Sequence, residues 1–221
     1  MADETLTEDD YVYAKQLQAP FSALVISGSN NGKSTFISRL LENANETINP
    51  APGKIIVMVG STLAGYKDNP AITFIHGFQP EYIPSSAEST PTVLVLDDLY
   101  HDIPEDTLRK LYTQWYHHYN LCLIVTTHNL YEKTVRCSRT VNLSTEYFFL
   151  FANRDKSSIR CLDMQSFPEY KNFLLSAYTQ MTSKPYQYLL FDAKAQTKKI
   201  LRLRTGLLKS EELALFVPKK T

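Results

Sequence analysis

Nine consecutive residues, Ser27-Gly28-Ser29-Asn30-Asn31-Gly32-Lys33-Ser34-Thr35, combine the side chains and backbone freedom needed to hold a row of phosphates. A tight turn whose amide N–H groups converge on oxygen anions, opening directly into a helix N-terminus, favours negative charge through both its unpaired donors and the helix dipole. Gly32 lets the backbone approach a phosphate closely, Lys33 reaches the β- and γ-phosphates, and the Ser34 hydroxyl suits Mg²⁺. Gly28, Ser29, Asn30, Asn31 and Thr35 complete the expected cradle. The pattern G-x-x-x-x-G-K-[ST] begins on glycine, where this chain has Ser27. Gly28 follows at once and is expected to supply the unusual dihedrals one residue late, with Asn31 a second residue that tolerates them. The whole chain has only seven glycines, so two within five residues set this segment apart.

Two more clusters extend the chemistry. In Val93-Leu94-Val95-Leu96-Asp97-Asp98, four apolar residues suit a buried strand and two carboxylates stand at its C-terminal end. Ligands of open α/β sheets gather beyond that end. Asp97 is expected to hold Mg²⁺ through its water shell, and Asp98 to orient or deprotonate an attacking water. Thr126-Thr127-His128-Asn129 ends another apolar run. If that run lies between the strands carrying the phosphate loop and Asp97, His128 faces the γ-phosphate and can sense it. The other histidines (His76, His101, His117, His118) lack metal-ligand spacing with acids or cysteines, so no metal beyond Mg²⁺ is expected.

These side chains need a scaffold, and the apolar patterning supplies one. Short apolar runs at 21–27, 54–59, 72–76, 92–96, 121–127 and 147–151 read as strands, with final strands expected at 186–192 and 200–204. Residues 34–45 read as a helix, with Ile37, Leu40, Leu41 and Ala44 on one face. Residues 79–91, with three prolines, read as a loop. Pro104, Glu105 and Asp106 mark a helix start. The stripe Leu108, Leu111, Tyr112, Trp115, Tyr116, Tyr119 that follows is the spacing of core packing. A second helical face runs from Tyr170 to Met181. Strands interleaved with helices predict an α/β fold: a mainly parallel central sheet flanked by helices in three layers.

Composition bounds the function classes. At 221 residues the chain is expected to make one domain with short appendages: an acidic extension over 1–19, the domain carrying the phosphate loop over 20–205 and a basic tail over 206–221. The longest apolar stretches, at 147–152 and 23–26, fall far short of the ~18–20 residues that span a bilayer. Residues 1–10 hold five acids and no base, the reverse of a secretory signal. Three scattered cysteines, Cys122, Cys137 and Cys161, encode neither a disulfide framework nor a zinc site, and fit a reducing, intracellular setting. Formal net charge is zero, but residues 184–221 carry +6. Such a basic end suits either nucleic-acid contact or plain solvation.

With these pieces in chain order, the sequence resembles the viral genome-packaging ATPases of the FtsK–HerA superfamily. The likeness is to the small packaging ATPases of Polinton/Maverick elements, adintoviruses and virophages, related to the poxvirus type. It covers most of residues 20–205. Beyond the phosphate loop it includes VLVLDDL at 93–99, NLCLIVTTHNL at 120–130, SRTVNLST at 138–145, NRDKS at 153–157, the segment 170–192 and LRLRT at 201–205. The resemblance implies a P-loop fold of the additional-strand, RecA-like type and an ATPase that uses ATP and Mg²⁺. It also implies a homo-oligomeric ring, pentamer or hexamer, that moves double-stranded DNA into a viral capsid or portal vertex. The setting implied is an infected host cell, at a nuclear or cytoplasmic assembly site, with no membrane partner. Members commonly carry glutamine where His128 stands, so Ser27 and His128 are both departures. The family's rings complete each site with an arginine from the neighbouring subunit, worth ~10³–10⁵ in rate. Arg139 is the first choice for that arginine, Arg136 the second and Arg154 the third. Two other readings share the phosphate loop: a nucleotide or nucleoside kinase, and an assembly module that binds nucleotide with little hydrolysis. A signalling GTPase is disfavoured, because no N-K-x-D segment occurs and Asp97 is not followed by x-x-Gly.

Overall fold

The computed structural model describes residues 6–60, 65–131 and 135–218. In chain order its strands are β1 (Leu17–Gln18), β2 (Phe21–Ile26), β3 (Ile48–Asn49), β4 (Lys54–Val59), β5 (Ile72–His76), β6 (Thr92–Asp97), β7 (Leu121–Thr127), β8 (Tyr147–Phe151), β9 (Tyr188–Asp192), β10 (Leu203–Thr205) and β11 (Ala214–Phe216). Its helices are α1 (Glu8–Ala14), α2 (Lys33–Glu42), α3 (Ala44–Thr47), α4 (Glu105–Lys110), α5 (Tyr116–His118), α6 (Ser138–Ser144), α7 (Ser157–Ser166) and α8 (Phe173–Met181). A five-residue π-helical turn, Leu111–Trp115, joins α4 to α5.

Nine strands form one sheet in the order β11-β10-β9-β8-β2-β7-β6-β4-β5, and β1 pairs with β3 alone. A strand paired on both edges and packed on both faces needs apolar residues throughout rather than at alternate positions. Strands β2, β6, β7 and β8 are accordingly buried at every residue. Leu24, Leu94, Leu96, Leu123 and Val125 face the helices α4 to α8. Their neighbours Ala23, Val25, Val93, Val95 and Ile124 face α2 and α3. The aromatic stripe packs as expected: Leu108, Leu111 and Tyr112 are buried, and the Tyr112 hydroxyl donates to the Ala23 carbonyl at 2.9 Å.

The sheet is mixed, so the expectation of a mainly parallel one is met only in part. From β8 through β2, β7, β6 and β4 to β5 every pairing is parallel. Beyond β8 the pairings with β9, β10 and β11 are all antiparallel. Two helices, α7 and α8, lie between β8 and β9 and return the chain to the end of the sheet it left, so β9 must run backwards. The links at 193–202 and 206–213 are then too short for the crossover of a dozen or more residues that a parallel strand requires. The expected strand over 200–204 is half replaced by the 3₁₀ turn Lys199–Leu201, which makes that reversal.

The two ends of the chain use their opposite charges on each other. A capping box between Thr7 and Asp10 opens α1, and Asp10 also takes Lys198 at 2.8 Å. Behind it Arg204 is 1% exposed and donates to Asp192 at 3.0 Å and to the Ala14 carbonyl at 3.1 Å. Lys194, also buried, donates to the Gln18 carbonyl at 2.7 Å and pairs with Glu146. Removing one member of a buried ion pair strands the other charge, at a cost of about 3–5 kcal/mol. Asp192→Ala should therefore lower folding stability by that amount in a denaturant titration, and a loss below ~1 kcal/mol would show that the pair is not internal.

Candidate active site

The phosphate loop leaves β2 and enters α2, and its backbone departs from the sequence expectation. Left-handed dihedrals fall at Asn30 (φ 61°) and Gly32 (φ 83°), not at Gly28 or Asn31. A serine at position 27 is therefore tolerated: the conformation for which the motif's first glycine was expected is not used there. Gly28 sits in tight space instead, since a Cβ would lie 2.9 Å from Asn31 Nδ2 and 3.3 Å from the Ala152 carbonyl. Both Gly28 N–H and Asn31 Nδ2 donate to that carbonyl, at 3.1 and 2.7 Å, which ties the loop to the end of β8. Gly32 is the N-cap of α2, and no side chain caps this end. The first amides of α2 thus lack side-chain acceptors, and the first turn carries no acid, as an anion site requires.

Asp97 is the hub. It is buried, and the Ser34 hydroxyl, the Tyr66 hydroxyl and the Thr126 hydroxyl donate to its carboxylate at 2.9, 2.9 and 2.8 Å. Lys33 Nζ lies 3.6 Å away. Burial, then the neighbouring carboxylate, hold the Tyr66 phenol proton well above its ordinary pKa, so Tyr66 remains a donor. A buried carboxylate beside a hydroxyl at 2.9 Å is a hard-oxygen pair of the kind Mg²⁺ takes while keeping several waters. These residues fit that ion.

Asp98 differs from Asp97 in almost every respect. Its side chain is half-exposed and its backbone is left-handed (φ 59°), while its N–H donates to Thr126 Oγ1 at 2.8 Å. Thr126 therefore holds the Asp97 carboxylate by its proton and the Asp98 backbone amide by its lone pair. The insertion that the His128 expectation required is present, with β7 between β2 and β6. His128 Nδ1 lies 2.9 Å from the Ser27 carbonyl, which can only accept, so Nδ1 carries the proton and Nε2 is left facing Asp98 Oδ1 at 3.7 Å. Asn153 Nδ2 donates to the His128 carbonyl at 2.7 Å.

A cleft of about 440 Å³ gathers Gly28, Ser29, Asn30, Asn31, Gly32, Lys33, Ser34 and Thr35 with Gly65, Asp98 and His128. The predicted residues of the cradle, both carboxylates and His128 thus come together. Arg139 does not join them: it is exposed in the first turn of α6 and is not in the cleft wall. Arg136 is exposed too, and its N–H donates to Glu105. Arg154 lines a neighbouring hollow with Gly28, Ser29 and Asn31. No motif or periodicity marks Gly65 and Tyr66 in the sequence, and only the folded chain brings them to Ser34 and Asp97.

No family model matches the chain, and no curated protein matches it. Among solved structures it is similar to EssC (ATPases 2 and 3) from Geobacillus thermodenitrificans, with TM-score 0.49 and 14% identity over 65% of this chain and 34% of that one. It is also similar to the cytoplasmic domain of EssC, with TM-score 0.43 and 17% identity over 60% and 32%. The chain spans about a third of the length of either structure. Likenesses this slight carry no argument about what it binds or does.

Proposed function

We propose that this chain hydrolyses ATP with Mg²⁺ and uses the energy to move double-stranded DNA, as a subunit of a ring that fills a viral capsid. The observation that carries the hydrolytic part is the Asp97 hub: Ser34, Lys33 and Thr126 converge on one buried carboxylate, and the next residue, exposed Asp98, lines the cleft together with Lys33 and Ser34. Lys33 and the free amides of α2 bind and orient the phosphates. Ser34 and Asp97 hold Mg²⁺, which when bound supplies Lewis-acid stabilisation of phosphoryl charge. Asp98 takes a proton from the water that attacks the γ-phosphorus as the bond to the bridging oxygen breaks and ADP departs. His128, held by Ser27, reports the γ-phosphate to the loop. The DNA, ring and capsid parts rest on the sequence resemblance, which runs well beyond the phosphate loop.

Displacement of a triplex-forming oligonucleotide from linear duplex DNA tests the motor directly. ATP-dependent displacement by the purified chain, sized as a ring, is expected. Hydrolysis without displacement by an assembled ring would overturn the translocase reading.

The placement of Arg139 outside its own cleft leads to a further prediction. Arg139→Ala should bind ATP normally and lose ~10³-fold or more in turnover, because the arginine serves an adjacent copy. Mixing it with Asp98→Asn subunits should restore part of the activity, since intact Arg139 then meets intact Asp98. No rescue at any ratio, with assembly confirmed, would leave Arg139 a structural residue.

A further inference from the structure

Beside the phosphate cleft lies a second pocket of about 290 Å³, entered past Gly32 and Thr35, which also line the cleft. One of its walls is unusual. Tyr186 is 68% exposed, one of few large hydrophobic side chains so open to solvent, and its backbone is left-handed (φ 62°). An aromatic residue in that conformation is strained, and such residues cluster at ligand clamps. Pro185 before it fixes one half of the turn. The ring rests directly on the loop, so that a Cβ added to Gly32 would meet Tyr186 Cδ1 at 2.9 Å.

The other wall is polar. Glu211 accepts from the Tyr188 hydroxyl at 2.7 Å and pairs with Arg39 at 3.5 Å. Arg39 in turn donates to Ser210 at 2.8 Å. Burial, then the Glu211 carboxylate, raise the Tyr188 phenol well above its ordinary pKa and keep it a donor. The pocket therefore offers an open aromatic face on one side and a carboxylate–guanidinium pair on the other, the two features that a flat heterocycle with a polar edge would use.

We infer that this pocket binds the nucleobase of the triphosphate, with the Tyr186 ring stacked on the base and the Arg39–Glu211 pair meeting its polar edge. The direction follows from the cleft. Lys33, Asp97 and Asp98 mark the γ-phosphate end and do not line this pocket, which shares only Gly32 and Thr35 with the cleft. The hollow on the other flank, about 590 Å³ between Gly28 and Arg154, is lined by no aromatic ring. This inference rests on the proposed nucleotide cleft and adds the residue that discriminates a nucleotide from bare polyphosphate.

Calorimetric affinities for ATP and for inorganic tripolyphosphate, both with Mg²⁺, separate the two. Tyr186→Asn removes the ring while suiting the left-handed backbone better than tyrosine does, so the variant keeps its fold. It should bind ATP about 5- to 150-fold more weakly, as loss of one stacked base implies, with tripolyphosphate affinity unchanged. Tyr186→Phe, which keeps the ring face, should bind ATP as the parent does. Equal losses for both ligands, or no loss for ATP, would overturn the base pocket and leave the phosphate cleft standing. If the unaltered chain binds neither ligand, the cleft reading falls and takes this one with it.

Discussion

Replacing Lys33 with alanine is expected to reduce ATP turnover by roughly 10³-fold while leaving the protein folded. Lys33 is the cation that the loop places 3.6 Å from Asp97, the proposed Mg²⁺ ligand. Its loss removes phosphate binding and stabilisation of the transferring charge together. The fold does not depend on it, because Asp97 keeps hydrogen bonds from Ser34, Tyr66 and Thr126. Phosphate release and a denaturation curve on the same preparation check both halves. Unchanged hydrolysis by a stable Lys33→Ala protein would remove the loop from the chemistry.

How much of this was legible in sequence depended on burial. Strands such as β6 and β7 are enclosed on both faces, so their apolar runs had no other reading. Helices α6 and α7 left no such trace. Of α6 only Ser138, Val141 and Asn142 are buried, and α7 buries Ile159 and Leu162 beside Ser158 and Asp163. Polar residues on the inner face erase the apolar stripe. Strands β10 and β11 have three residues each, too few to show a period of two, and β11 lies in the stretch read as a tail. The acids at Glu8, Asp9 and Asp10 read only as part of an acidic extension, although Thr7 and Asp10 have capping-box spacing and form one.

The site was legible where chemistry dictates residue type and illegible where only contact does. Lys33, Ser34, Asp97 and Asp98 follow from the needs of a phosphate and a cation. Tyr66 and the two-way hydrogen bonding of Thr126 follow from three-dimensional proximity alone. The misplaced left-handed residue has the same origin. The motif suggests glycine dihedrals near position 27 or 28, whereas the ties of Gly28 and Asn31 to Ala152 shift the turn to Asn30 and Gly32.

The adjacent carboxylates should separate cleanly on mutation. Asp98→Asn is expected to keep Mg²⁺-ATP affinity and lose about 10²–10⁴ in hydrolysis, the range for a positioned general base. Asparagine tolerates the left-handed backbone of Asp98, and Thr126 still receives its N–H, so the fold is spared. Asp97→Asn retains the shape of the hub but loses the charge proposed to hold Mg²⁺, so its ATP affinity should fall and become nearly indifferent to Mg²⁺. Affinities measured with Mg²⁺ and with chelator resolve the two. Equal losses of affinity in both variants would reject the division between metal ligand and base.

The most direct measurement is steady-state phosphate release from ATP by the unaltered protein, with and without linear duplex DNA, on a sample whose oligomeric state is sized in parallel. Expected is Mg²⁺-dependent release that rises severalfold when duplex is added and ring-sized particles are present. No release above background in either condition, from folded and assembled protein, would contradict a hydrolytic motor and leave a cleft that only binds.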